Sequence, residues 1–84
     1  MRRINFKTAD ALSRSWAYSI SVASRTRRAA GGLQAEICGE YDKGCKSLRL
    51  GYAGNGLFFK VENDEKSILV TKNLERAVEK YNSL

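Results

Sequence analysis

LQAEICGEYDKGCKSLRLGYAGNGLFFKVENDEKSILVT, residues 33–71, reads as four short strands joined by three turns. The strands are Leu33–Glu40, Cys45–Tyr52, Leu57–Glu62 and Ser67–Thr71. Each alternates apolar and polar residues, the period of a strand with one buried face. The apolar sets are Leu33, Ala35 and Ile37, then Leu48, Leu50 and Tyr52, then Leu57, Phe59 and Val61, and last Ile68 and Val70. Antiparallel pairing through four-residue turns sets Ile37 against Leu48 and Ala35 against Leu50. It sets Leu50 against Phe59 and Leu48 against Val61, then Val61 against Ile68 and Phe59 against Val70. All eleven positions then share one face, and a one-residue slip would turn a strand's whole set over, so the agreement specifies a register. Gly44 and Gly56 close two of the turns, where positive φ is expected.

A sheet with one apolar face needs a cover. Upstream, Thr8 to Arg28 reads as a helix with Thr8 as N-cap, Asp10 in its first turn and Gly31-Gly32 beyond its end. Ala9, Leu12, Trp16, Ile20 and Ala23 recur at spacings of three and four, and Trp16 at the middle of that stripe is expected in the core. Downstream, Asn73 caps a helix over residues 74–82. Leu74, Ala77, Val78 and Tyr81 form its apolar face, with Glu75 and Lys80 placed as the macrodipole prefers. The predicted fold is α+β: helix, four-stranded antiparallel meander, helix, with both helices on one sheet face. It forms a single small domain over residues 1–84, with the basic helix at 8–28, the meander at 33–71 and the last helix at 74–82.

The layout is similar to the four-strand-plus-helix plan of whirly-type single-strand binders. It is also similar to the helix–three-strand–helix plan of double-stranded RNA-binding domains. Neither family's signature residues occur here, so the likeness is one of plan.

Charge supplies the functional expectation. The chain has 84 residues and a net charge of +6. Residues 1–32 hold Arg2, Arg3, Lys7, Arg14, Arg25, Arg27 and Arg28 against Asp10 alone, while residues 33–84 carry as many acids as bases. The whole excess therefore sits in the N-terminal third, as expected for contact with nucleic acid or with an acidic protein or nucleoprotein surface. The bland alternative is that arginines near a helix C-terminus complement its dipole. The Arg- and Ser-rich, acid-poor first third also has the composition of an organelle transit peptide. That reading is set aside because the sheet needs this helix as its cover. Candidate binding residues on the helix are Arg14, Tyr18, Arg25, Arg27 and Arg28. On the outer sheet face they are Arg49, Phe58 and Lys60, where an aromatic beside two cations suits stacking and phosphate contact.

Chemistry is sparse. Histidine is absent, which removes the commonest general base, and the carboxylates form no close pair. Gly51, Gly54 and Gly56 join two strands rather than opening a helix, so they do not make a phosphate loop. Cys38 and Cys45 flank the first turn but fall diagonally in the register, too far apart for a disulfide. Two thiols without histidine make no zinc site. No apolar run is long enough to span a bilayer. The expectation is a cytoplasmic, non-enzymatic binding protein with no cofactor, metal or small-molecule substrate. Nucleic acid is the first candidate partner. The alternative is a phage or mobile-element accessory protein, such as an inhibitor of host defence, that docks on a host protein or nucleoprotein complex.

Overall fold

A computed structural model describes residues 3–27, 34–42, 44–53 and 56–84. In order the elements are α1 (Phe6–Arg27), β1 (Gln34–Glu40), β2 (Lys46–Ala53), β3 (Gly56–Asn63), β4 (Lys66–Thr71) and α2 (Leu74–Asn82). The four strands form one antiparallel sheet in the order β1-β2-β3-β4. Both helices pack on the same face, as the sequence predicts. The core joins Leu48, Leu50 and Val61 of the sheet to Ala9 of α1 and to Leu74, Ala77, Val78 and Tyr81 of α2.

The central pairing follows the predicted register throughout, with Leu48 opposite Val61, Leu50 opposite Phe59 and Tyr52 opposite Leu57. The two outer pairings each contain a β-bulge that the alternation does not reveal. In β1 the shift falls between Glu36 and Cys38, so that Cys38 rather than Ile37 partners Leu48. Ile37 is buried and Cys38 also packs against the core, so two successive residues serve the helix side. In β3–β4 the shift falls between Val61 and Glu62, which pairs Val61 with Leu69 and Lys60 with Val70. Leu69, expected outside, packs on the core beside Ile68, and Val70, expected inside, is 58% exposed. A bulge adds one residue to one strand and strengthens the local twist.

The turns consequently differ in length. Five residues separate the Glu40–Lys46 pair, whereas two separate Asn63 from Lys66. That two-residue turn, Asp64-Glu65, has φ of 51° and 67°, the pattern of a type I′ hairpin made without glycine. Gly44 and Gly56 have φ of 136° and 124°, as their turn positions require. Asp64 also ties the two turns at this end together: its N–H donates to the Cys45 carbonyl at 2.6 Å, and its carboxylate accepts from the Cys45 N–H at 3.3 Å.

α1 starts two residues before the predicted boundary. Asn5, not Thr8, is the cap: its Oδ1 accepts from the Thr8 N–H at 2.7 Å, and its carbonyl accepts from Ala9 N–H. Asp10 therefore lies past the first turn and instead pairs with Arg14 at 3.0 Å. The larger correction is the roll of the helix. Ala9, Ser13 and Ile20 are buried and Ala17 packs on the core, while Trp16 is 45% exposed and Leu12 36%. The cause is space. α2 already fills its share of the helix layer with Leu74, Val78 and Tyr81, each contributing about 1.5–3 kcal/mol on burial. α1 approaches closely through small residues, and Ser13 satisfies its hydroxyl on the Ala9 carbonyl at 2.7 Å. Ala23 of the predicted stripe and Leu33 of the first strand fall outside the described side chains and residues.

α2 matches its prediction in bounds and face. Asn73 Oδ1 accepts from the Arg76 N–H at 3.2 Å, and Glu75 and Lys80 occupy the first and last turns. The two ends of the chain meet here: Ile4 N–H donates to Asn82 Oδ1 at 2.9 Å, and Asn82 Nδ2 donates to the Ile4 carbonyl at 2.8 Å.

Candidate binding surfaces

Among the described residues no three His, Cys, Asp or Glu side chains converge where a metal could be held. No helix of the described chain is long and apolar enough to cross a membrane. The surfaces to consider are the outer sheet face and the solvent side of α1.

The outer face brings Arg49 and Lys60 side by side, as the predicted register requires, but it does not leave them bare. Arg49 Nε lies 3.0 Å from a Glu62 carboxylate oxygen, and another guanidinium nitrogen lies 3.8 Å from Glu36. Lys60 Nζ lies 3.7 Å from Glu62. Ser47, buried on this face, accepts from Arg49 Nε at 3.4 Å. Two cations thus meet two carboxylates, and the face is locally neutral. Tyr41 adds a hydrogen bond from its hydroxyl to Glu36, which raises the phenol's pKa. Its ring rests on Gly39, where a Cβ would come within 2.8 Å of it. Phe58, across from Gly51 in the register, rests on that glycine in the same way, and a Cβ at Gly51 would collide with its ring. Each aromatic takes the space that a side chain would fill on the neighbouring position. A groove of about 400 Å³ opens at the turn end of the face, lined by Tyr41, Cys45, Ser47, Arg49, Glu62 and Glu65.

Both cysteines are free thiols. Their separation has a simpler cause than the predicted diagonal. The β1 bulge turns Cys38 toward the helices, while Cys45 stays exposed. Burial pushes the Cys38 thiol pKa up, partly offset by a hydrogen bond from the Tyr81 hydroxyl. Burial, then Cys38, raises the Tyr81 phenol far above its ordinary value. The raised pKa keeps the Cys38 thiol protonated at neutral pH.

Lys46 carries no site motif, but its even-numbered place in β2 puts it on the same face as Leu48 and Leu50. It is buried. Its ammonium donates to the Tyr81 carbonyl at 3.1 Å and to the Leu84 carbonyl at 3.5 Å, and lies 4.2 Å from the centre of the Tyr81 ring. Lys46 caps the C-terminus of α2 from the sheet, where carbonyl groups lack helical partners and the dipole is negative. A lysine at an inward strand position ahead of a C-terminal helix is the signal that could have found it.

On α1, Arg14 is 81% exposed at its side chain despite its Asp10 partner, and Tyr18 is 76% exposed. A helix turns about 100° per residue, so Lys7, Arg14 and Tyr18 share one flank, with Leu12 and Trp16 on the other. Arg25 and Arg27 belong to the last turns of α1, but their side chains, and Arg28 entirely, lie outside the described residues. Comparison with protein families, with curated proteins and with solved structures finds no match for this chain.

Proposed function

We propose that this chain is a non-enzymatic binding protein that contacts nucleic acid through the basic flank of α1. The observation that carries the reading is the location of the charge excess. All of the +6 falls in residues 1–32, and the cations of the outer sheet face, Arg49 and Lys60, are engaged by Glu36 and Glu62, as buried Lys46 is by the end of α2. Arg14 and Arg25, with Lys7 and Tyr18 on the same flank, and Arg27 and Arg28 at the end of the basic segment then supply phosphate contact and one aromatic face, while the sheet serves as scaffold. Four such contacts give a log K against log salt slope of about −3 to −4. The test is fluorescence anisotropy of labelled single-stranded DNA, duplex DNA and RNA across a salt series, with Arg25→Glu combined with Arg28→Glu. Loss of binding and of most of the slope is expected; unchanged affinity for all three would end the reading.

A second reading is supported by the exposure of Tyr18 and Arg14 on one flank of α1, since tyrosine and arginine are enriched at the centres of protein interfaces. In it the same flank docks on an acidic host protein or nucleoprotein complex, as a phage or mobile-element inhibitor would. Co-purification of one defined partner that survives nuclease treatment, without affinity for free nucleic acid, would select it.

A further inference from the structure

An aromatic ring can stack on a base only where it is open and has cations beside it to hold the strand. Phe58 on the outer sheet face rests on Gly51, and the cations near it, Arg49 and Lys60, are paired with Glu36 and Glu62. Tyr41 is exposed, but its hydroxyl bonds to Glu36, and Glu62 and Glu65 line the same groove. Trp16 stands about 160° around α1 from Arg14 and about 180° from Lys7. Tyr18 meets both conditions. It is 76% exposed, the most open of the large hydrophobic residues exposed among the described residues. Arg14 lies one turn before it, about 6 Å along the axis, and Lys7 about 10 Å further back. The three fall within about 40° of one another around the helix. Both cations are exposed, and Arg14 remains so although Asp10 meets its Nε at 3.0 Å.

We propose that the nucleic acid bound by α1 is single-stranded, with one unpaired base stacked on the Tyr18 ring, a neighbouring phosphate on Arg14 and a more distant one on Lys7. This narrows the nucleic-acid reading above, on which it rests. In a duplex both faces of each base are covered by the stack, and the tyrosine is left only a hydrogen bond from its hydroxyl to phosphate. In a single strand a base face is open, and stacking there adds affinity beyond the phosphate contacts. The orientation of α1 favours the same answer. Its buried side runs along Ala9, Ser13 and Ile20, so the line farthest from the sheet passes Ala11, with Tyr18 and Ser15 on either side. A helix that reads paired bases in the major groove uses chiefly Arg, Lys, Asn or Gln at their edges. Here the outermost positions hold Ala11 and Ser15, and the one large side chain among them is an aromatic ring. Stacking accepts any base, so the preference is for strandedness rather than for sequence.

The experiment is fluorescence anisotropy with three short labelled probes: a DNA strand, the same strand paired with its complement, and a strand of equal length made of abasic residues. The native chain should bind the single strand about tenfold or more tighter than the other two. Tyr18→Ala alters an exposed position and retains the native circular dichroism. It should bring affinity for the single strand down to that for the duplex, with the salt slope unchanged because no charge is lost. Tyr18→Phe keeps the ring and should bind like the native chain. Duplex or abasic strand bound as tightly as the single strand overturns the proposal, and so does Tyr18→Phe as damaging as Tyr18→Ala. If all three probes bind equally and Lys7→Glu with Arg14→Glu weakens them alike, the single-strand inference falls and the nucleic-acid reading stands. If no probe binds, both fall.

Discussion

Replacing Lys46 with methionine keeps the length and apolar stem of the side chain and removes its ammonium. The loss comprises two charge-assisted hydrogen bonds, to the Tyr81 and Leu84 carbonyls at 3.1 and 3.5 Å, and the contact with the Tyr81 ring. The shorter bond is worth about 1.5–3 kcal/mol, the longer one less, and the cation over the ring about 1 kcal/mol. Set against these is relief from burying a charge, which amounts to several kcal/mol for an ion fully removed from water and less for one held by carbonyls. The net expectation is destabilisation by about 2 kcal/mol, or roughly 10 °C in Tm for a chain of this size. Urea unfolding followed by far-UV circular dichroism measures it. Amide hydrogen exchange locates it, since protection should fall first in residues 79–84 at the end of α2 and only with global unfolding in β3. Lys46→Ala, which also removes the packed stem, costs more. A Lys46→Met protein as stable as the native chain, or more so, would show that the buried charge is a burden that the helix end does not offset, and the capping argument would be wrong.

Three further outcomes are expected. Asn82→Ala removes both hydrogen bonds that hold Ile4 to α2 and costs about 1–3 kcal/mol; urea unfolding measures the loss, and exchange protection at the start of α1 falls with it. Glu65→Gly relieves a left-handed backbone at φ 67° and stabilises the chain by about 1 kcal/mol, seen as a higher urea midpoint with an unchanged slope. Stability falls at alkaline pH. The folded pKa of Tyr81 is raised, so the folded chain holds a proton that the unfolded chain releases above about 10, and the stabilisation present below that pH is lost as pH climbs toward the folded value. Cys38, also raised, adds to the loss from about 9. Tyr81→Phe should flatten the decline of Tm above pH 10, and an unaltered decline would remove Tyr81 as its source.

Alternation and turn chemistry specify the strand order, the helix side of the sheet and the entire β2–β3 register, because each depends on residues close in sequence. The face of α2 was equally plain: Leu74, Ala77, Val78 and Tyr81 are the only apolar residues of that helix, and all four are buried. The concentration of charge in residues 1–32, on which the functional reading depends, is a property of the sequence alone. Tertiary structure decided the rest. The bulges lie in the pairings of the two edge strands, and a bulge leaves little mark in the pattern where successive residues such as Ile37-Cys38 and Ile68-Leu69-Val70 are all apolar. Those bulges exchanged the places of Leu69 and Val70 and turned Cys38 inward. The pairing of Arg49 and Lys60 with Glu36 and Glu62 needed side chains from three strands. Periodicity gave α1 a stripe wide enough for several orientations, and competition with α2 for one sheet face chose the small residues and left Trp16 outside. Lys46 shows the same division: its inward position could be read from the strand, but the helix end that satisfies its charge exists only once α2 has docked.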